Sequence, residues 1–124
     1  MMRLLLIDDQ SEDAREVASA LRSRGWIVSV VASARAAFDA VPALQPDAII
    51  TELALPDAHG LHLARALRTL VERDIVIVAL SRLADELGAR ALASGFDHVA
   101  PKPVHVEALH ARLGALLPGR ALIA

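Results

Sequence analysis

The chain has 124 residues, 55% of them hydrophobic, no cysteine and a formal net charge of −2. That length suits one domain with a real core, and the near-neutral charge argues against direct nucleic-acid binding, which calls for a basic face. The missing cysteines exclude disulfides, thiolate zinc sites and cysteine nucleophiles, and no apolar run is long enough for a secretory signal or a membrane span, so a soluble cytoplasmic protein is expected.

In chain order, the run LLLI at 4–7 reads as a first strand, cut short by Asp8 and Asp9. Ser11 is placed to cap a helix from Glu12 to Arg24, with Ala14, Val17, Ala18 and Leu21 on one face and Gly25 as its stop. IVSVV at 27–31, opened by Trp26, is the second strand. Ser33 caps a shorter helix through Val41, ended by Pro42. AII at 48–50 is the third strand and runs into Thr51, Glu52 and a loop punctuated by Pro56 and Gly60. Leu63, Ala64, Leu67, Leu70 and Val71 form the face of the third helix. IVIVAL at 75–80 is the fourth strand, followed by Ser81 and Arg82, and a helix from Asp85 to Ser94 stops at Gly95. HVA at 98–100 is the fifth strand, followed by Pro101, Lys102 and Pro103. The last helix carries Val106, Leu109, Leu113, Leu116 and Leu117, and 118–124 reads as a tail or the start of a linker in a chain otherwise taken as one domain, 1–124.

These runs are short, rich in β-branched residues and lack in/out alternation, as expected for strands buried on both faces. Five strand–helix repeats imply an α/β fold with a doubly wound parallel sheet and right-handed crossovers. Leu5, Ile7, Val28, Val30, Ile49, Ile50, Val76, Val78 and Val99 are its expected buried residues. Ligands of such sheets bind beyond the carboxyl ends of the strands. Asp8, Asp9, Glu52, Ser81 and Lys102 all follow strands and converge on that edge. Clustered carboxylates repel unless a cation sits among them, and Mg²⁺ is the natural oxygen-ligated choice, with Asp8, Asp9 and Glu52 as candidate ligands. A hydroxyl and an ammonium suit phosphate oxygens.

On the acidic pair Asp8-Asp9, the loop Leu55-Pro56-x-x-x-Gly60, Ser81 at the end of the fourth strand and Lys102-Pro103, the chain resembles the receiver domains of two-component response regulators, over nearly its whole length. The resemblance implies a flavodoxin-like (βα)5 fold with strand order 2-1-3-4-5. It implies a signalling module rather than an enzyme, and a cis peptide before Pro103 that would orient Lys102. It implies a protein partner: a sensor kinase, a phosphotransfer protein or a downstream effector. A monomer or weak homodimer is expected, with Asp97, His98 and Arg112 where some receivers make dimer contacts.

The same resemblance places the phosphoacceptor aspartate of the family on Glu52, with Ser81, Arg82 and Lys102 around the phosphate pocket. Arg82 stands for the usual small residue, Ser81 for the common threonine and Val99 for the usual aromatic. Glu is one methylene longer than Asp, which moves its carboxylate by roughly 1–1.5 Å toward the place of the phosphate oxygens. It offers about one negative charge where a phosphoryl group offers nearly two. Glu52 is therefore expected to mimic phosphorylation or to close the pocket by pairing with Arg82, with use as an ordinary phosphoacceptor as the alternative. A magnesium-dependent phosphatase of the haloacid-dehalogenase type is disfavoured, because its second acid falls on Gln10. A flavin site is disfavoured because two aspartates follow the first strand. His59 and His62 flank Gly60 without placeable metal partners, and His105 and His110 are expected to face solvent.

Overall fold

Five apolar runs become five parallel strands in the order β2-β1-β3-β4-β5. They are β1 (Arg3–Ile7), β2 (Ile27–Val31), β3 (Ala48–Glu52), β4 (Val76–Ser81) and β5 (His98–Pro101). The helices between them are α1 (Glu12–Arg22), α2 (Ala34–Leu44), α3 (Leu63–Arg68), α4 (Ala84–Ala93) and α5 (Val106–Leu116), with a 3-10 turn at Gly60–His62 leading into α3. This computed structural model describes residues 2–9 and 12–117; Gln10, the Ser11 cap and the 118–124 tail lie outside the described residues. Among the described residues no helix is long and apolar enough to cross a membrane.

Successive residues of a strand point to opposite faces, and here both faces are covered. Leu4 and Leu6 of β1 join Ile50, Val78 and Leu80 in a layer closed by Val17 and Leu21 of α1 and Leu109 and Leu113 of α5. Leu5 and Ile7 join Ile49 and Ile77 in the opposite layer, under Ala37 and Val41 of α2, Leu67 of α3 and Ala91 of α4. This is why β1, β3 and β4 read as continuous apolar runs. The register sets Leu5 between Ser29 and Ile49, and Thr51 between Ile7 and Ala79.

The outer strands depart from the expected burial. Val30 is 43% exposed and Val99 only half-buried. Both lie on edge strands, which have a neighbouring strand on one side only. A second departure is at Pro42, which does not end α2: the helix continues to Leu44. Proline there removes one hydrogen bond in the last turn, while fully buried Val41 and the left-handed Gln45, whose N–H donates to Val41 O at 2.9 Å, hold the turn in place. Helices α1 and α4 are left through Gly25 and Gly95, whose φ angles of 95° and 104° favour glycine.

At the amino edge, Arg68 donates to Gly95 O, Ile75 O and the Asp97 carboxylate, which also accepts from the Ile77 N–H. Asp97 thus ties α3 to the start of β4. His110 is also not solvent-facing: half-buried, its Nδ1 accepts from the indole N–H of buried Trp26 at 3.2 Å.

Candidate functional site

The strands deliver their terminal residues to the carboxyl edge. Asp8 follows β1 and is buried, 1% exposed, with its N–H donating to Val31 O. Glu52 is the last residue of β3, also buried, and Ser81 is the last of β4. Lys102 follows β5, its N–H donating to Ser81 O, and its peptide to Pro103 is cis. Together with Asp9, Asp13, His59, Arg82, Leu83 and others these residues line a cleft of about 580 Å³.

The ammonium of Lys102 sits between two carboxylates. Its Nζ is 2.5 Å from Glu52 Oε2 and 3.1 Å from Asp8 Oδ2, and all three side chains are at most 11% exposed. The other Glu52 oxygen, Oε1, accepts from the backbone N–H of Leu53 at 3.0 Å and of Ala54 at 3.1 Å. The extra methylene of Glu is what lets one carboxylate span from its own following peptides to the lysine. Burial alone would lower the Lys102 pKa, but the hydrogen bonds with Glu52 and Asp8 outweigh it and raise it. Burial pushes the Asp8 carboxyl up, and the Glu52 charge adds to this against the pull of Lys102. Among the described residues no buried side-chain nitrogen or oxygen lacks a partner.

The loop after Glu52 folds back on it. Ala54 and His59 form an antiparallel bridge, and Gly60 N–H donates to Leu53 O at 2.7 Å. A Cβ on Gly60 would lie 2.6 Å from Leu53 Cα and 2.9 Å from Glu52 O. Both are backbone atoms that cannot swing aside. Gly60→Ala is therefore expected to cost about 1–3 kcal/mol in urea denaturation, as overpacking does, and to move the amide signals of Leu53 and Ala54.

Ser81 Oγ accepts from the Leu83 N–H at 3.0 Å and shapes the entry to α4. Arg82 does not close the pocket: its side chain is 74% exposed and its guanidinium faces Asp13 of α1 at 3.7 Å, so the expected pairing with Glu52 is absent. The acids expected to hold Mg²⁺ line one cleft, with Asp9 hydrogen-bonded to Asp8 and the Glu52 charge acting on Asp8. Among the described residues no group of three His, Cys, Asp or Glu side chains is placed to hold a metal. Glu52 is occupied by Lys102 and two N–H groups, while Asp9 is exposed. Mg²⁺ commonly takes one or two carboxylates and keeps several waters, so Asp8 and Asp9 are the residues that would hold it, in competition with the Lys102 ammonium.

Two roles were not legible in the sequence, where His59 is considered only as a metal ligand. His59 Nδ1 accepts from the Leu61 N–H and starts the 3-10 turn at the cleft's rim. Asp57, read only as part of a loop, accepts from the N–H groups of Ala34 and Arg35 in α2. Its partners lie more than 20 residues away, and nothing local in the sequence announces them.

A doubly wound parallel sheet with a buried acid–lysine–acid cluster at its carboxyl edge has its candidate site where such sheets bind their ligands. The profile of the response regulator receiver domain matches residues 4–114, and the chain belongs to that family. Response regulator MprA of Mycolicibacterium vanbaalenii is 29% identical over 116 residues, 94% of this chain and 50% of the relative. The chain thus spans about half the length of the curated relatives it matches. Among solved structures, a CheY-like receiver domain from Methylobacillus flagellatus has a TM-score of 0.84 at 29% identity, covering 94% of this chain and 98% of the other. The receiver domain of sensor histidine kinase PA1611 from Pseudomonas aeruginosa PAO1, described with magnesium coordinated in its active-site cleft, has a TM-score of 0.82 at 26% identity, covering 94% and 97%.

Proposed function

We propose that this chain is a two-component receiver module in which Glu52 occupies the phosphoacceptor position and works as a built-in, phosphorylation-independent substitute for a phosphoryl group, read by a protein partner. The supporting observation is the 2.5 Å contact between Glu52 Oε2 and Lys102 Nζ: a fixed negative charge already engages the ammonium suited to a phosphate oxygen. The partner is a sensor kinase, a phosphotransfer protein or an effector. Glu52→Gln tests the reading, because it keeps the shape and removes the charge. Amide shifts should change beyond the immediate neighbours, at Leu83 at the entry to α4 and at Val99 in β5. Shift changes confined to residues 51–54 would instead describe a pocket that is closed and not read.

Magnesium binding is expected to be weak, in the millimolar range or weaker. A divalent ion would have to compete with the Lys102 ammonium for Asp8, and Glu52 has no oxygen left unpaired. Calorimetry or NMR shifts at Asp9 measure this, and sub-millimolar affinity would show an intact metal site.

A further inference from the structure

Helix α2 starts with its N–H groups divided between two caps. Ser33, its own N-cap, accepts from Ala36 at 3.1 Å. The first two helical N–H groups go elsewhere: Ala34 donates to Asp57 Oδ1 at 2.9 Å and Arg35 to Asp57 Oδ2 at 3.0 Å. Asp57 belongs to the loop between β3 and the 3-10 turn. Both of its oxygens are thus spent on a helix of a different crossover. The loop is pinned at its other end as well, by the Ala54–His59 bridge and by Gly60 against Leu53.

We propose that Asp57 is a positioning residue for Glu52: by clasping the 53–59 loop to the start of α2, it steadies the Ala54 N–H that, together with the Leu53 N–H held at the sheet by Leu80 O, binds Glu52 Oε1, and so helps keep Oε2 aimed at Lys102. The peptide link is short. Ala54, whose N–H meets Glu52, lies three residues before Asp57 and is otherwise held, among the described residues, only through its bridge to His59 in the same loop, so a loop that leaves α2 loosens that donor. The Glu52–Lys102 contact is then reinforced by docking between two elements that share no strand. The bonds from Arg35 and Ala34 hold the Asp57 carboxyl below its ordinary range, as expected for a carboxylate that the fold uses in its charged form. The value of the clasp for signalling rests on the reading of Glu52 above; the clasp itself does not.

The experiment is amide hydrogen exchange by NMR on the full chain at neutral pH, comparing Asp57→Ala with Ser33→Ala. Both variants remove a cap from the same helix end, but only Asp57 joins the helix to the loop. Asp57→Ala should speed exchange at Ala54 about tenfold, the scale of one charge-assisted hydrogen bond, and shift the Glu52 carboxyl carbon, while Leu6 in the central strand keeps its protection. Ser33→Ala should leave Ala54 within about twofold of the wild type. Unchanged Ala54 exchange in Asp57→Ala, or an equal rise in both variants, overturns the proposal. Should Asp57→Ala fail to fold, Asp57→Asn decides, because it keeps one acceptor oxygen and the size: faster Ala54 exchange supports the clasp, and wild-type exchange refutes it. Failure of the mimic reading appears separately, in the Glu52→Gln shifts.

Discussion

Incubated with acetyl phosphate and Mg²⁺, the chain is expected to acquire no stoichiometric phosphate. Acyl-phosphate formation requires a carboxylate oxygen to attack phosphorus in line as acetate leaves. Both oxygens of Glu52 are engaged, Oε1 by two N–H groups and Oε2 by Lys102, so attack would break contacts as it begins. The longer side chain also displaces the nucleophile by roughly 1–1.5 Å, and misplacement of that order costs about 100-fold in rate. Glu52→Asp should restore measurable phosphorylation by intact-mass analysis: the shorter acid draws back and leaves Lys102 available to phosphate oxygens, with Asp8, Asp9 and Ser81 in place. The sequence alone suggests that adding Arg82→Ala would increase it further. The structure points to a small effect, because Arg82 projects to solvent and Asp13. A labile phosphate on wild-type Glu52 would instead make this a conventional receiver with an unusual acceptor.

The second large effect is expected at Lys102. Lys102→Met keeps the stem and deletes the charge, leaving Asp8 and Glu52 buried side by side with no ammonium between them. Breaking a buried pair by removing one partner typically costs about 3–5 kcal/mol, and urea denaturation should show a loss on that scale. Combining it with Glu52→Gln should recover part of the loss, since only one buried carboxylate then remains. The pH dependence has a definite sign. The Lys102 pKa is raised above 10.5 in the folded chain, so its contribution is complete below that pH and fades as pH climbs through the folded value. The Asp8 pKa is raised above 3.8, so the folded state binds more protons there and wild-type stability falls as pH rises from 3.8 through the raised value. In Lys102→Met the alkaline loss assigned to Lys102 should vanish, and the decline above pH 3.8 should steepen.

The sheet was legible because β1, β3 and β4 are covered on both faces, which forces unbroken apolar runs that no amphipathic helix shows. Edge burial was less legible. The run holding Val30 looks like the others, and only the strand order shows that it has one neighbour. Pro42 misled because, in the last turn, it removes only one hydrogen bond, while buried Val41 and the Gln45 cap, whose amide also donates to Leu70 O, hold that turn in place. At the candidate site, residues after strands could be named from the chain, since strand ends fix where Asp8, Glu52, Ser81 and Lys102 lie. The aim of a side chain could not. Arg82 is turned by Asp13 of another element, His110 by Trp26, and Asp57 by a helix end more than 20 residues upstream.

Trp26 is the sole tryptophan in a chain without tyrosine. It is buried at the amino end of β2, wedged at the seam where α1 and α5 meet and bonded to His110. A five-residue strand separates it from the carboxyl edge, roughly 17 Å at the usual rise. Its emission therefore monitors whether the C-terminal helix remains seated and is insulated from charge changes at the opposite pole. One optical signal can rank the denaturation midpoints of the Glu52, Lys102 and Gly60 variants on a common scale, uncontaminated by the substitutions themselves.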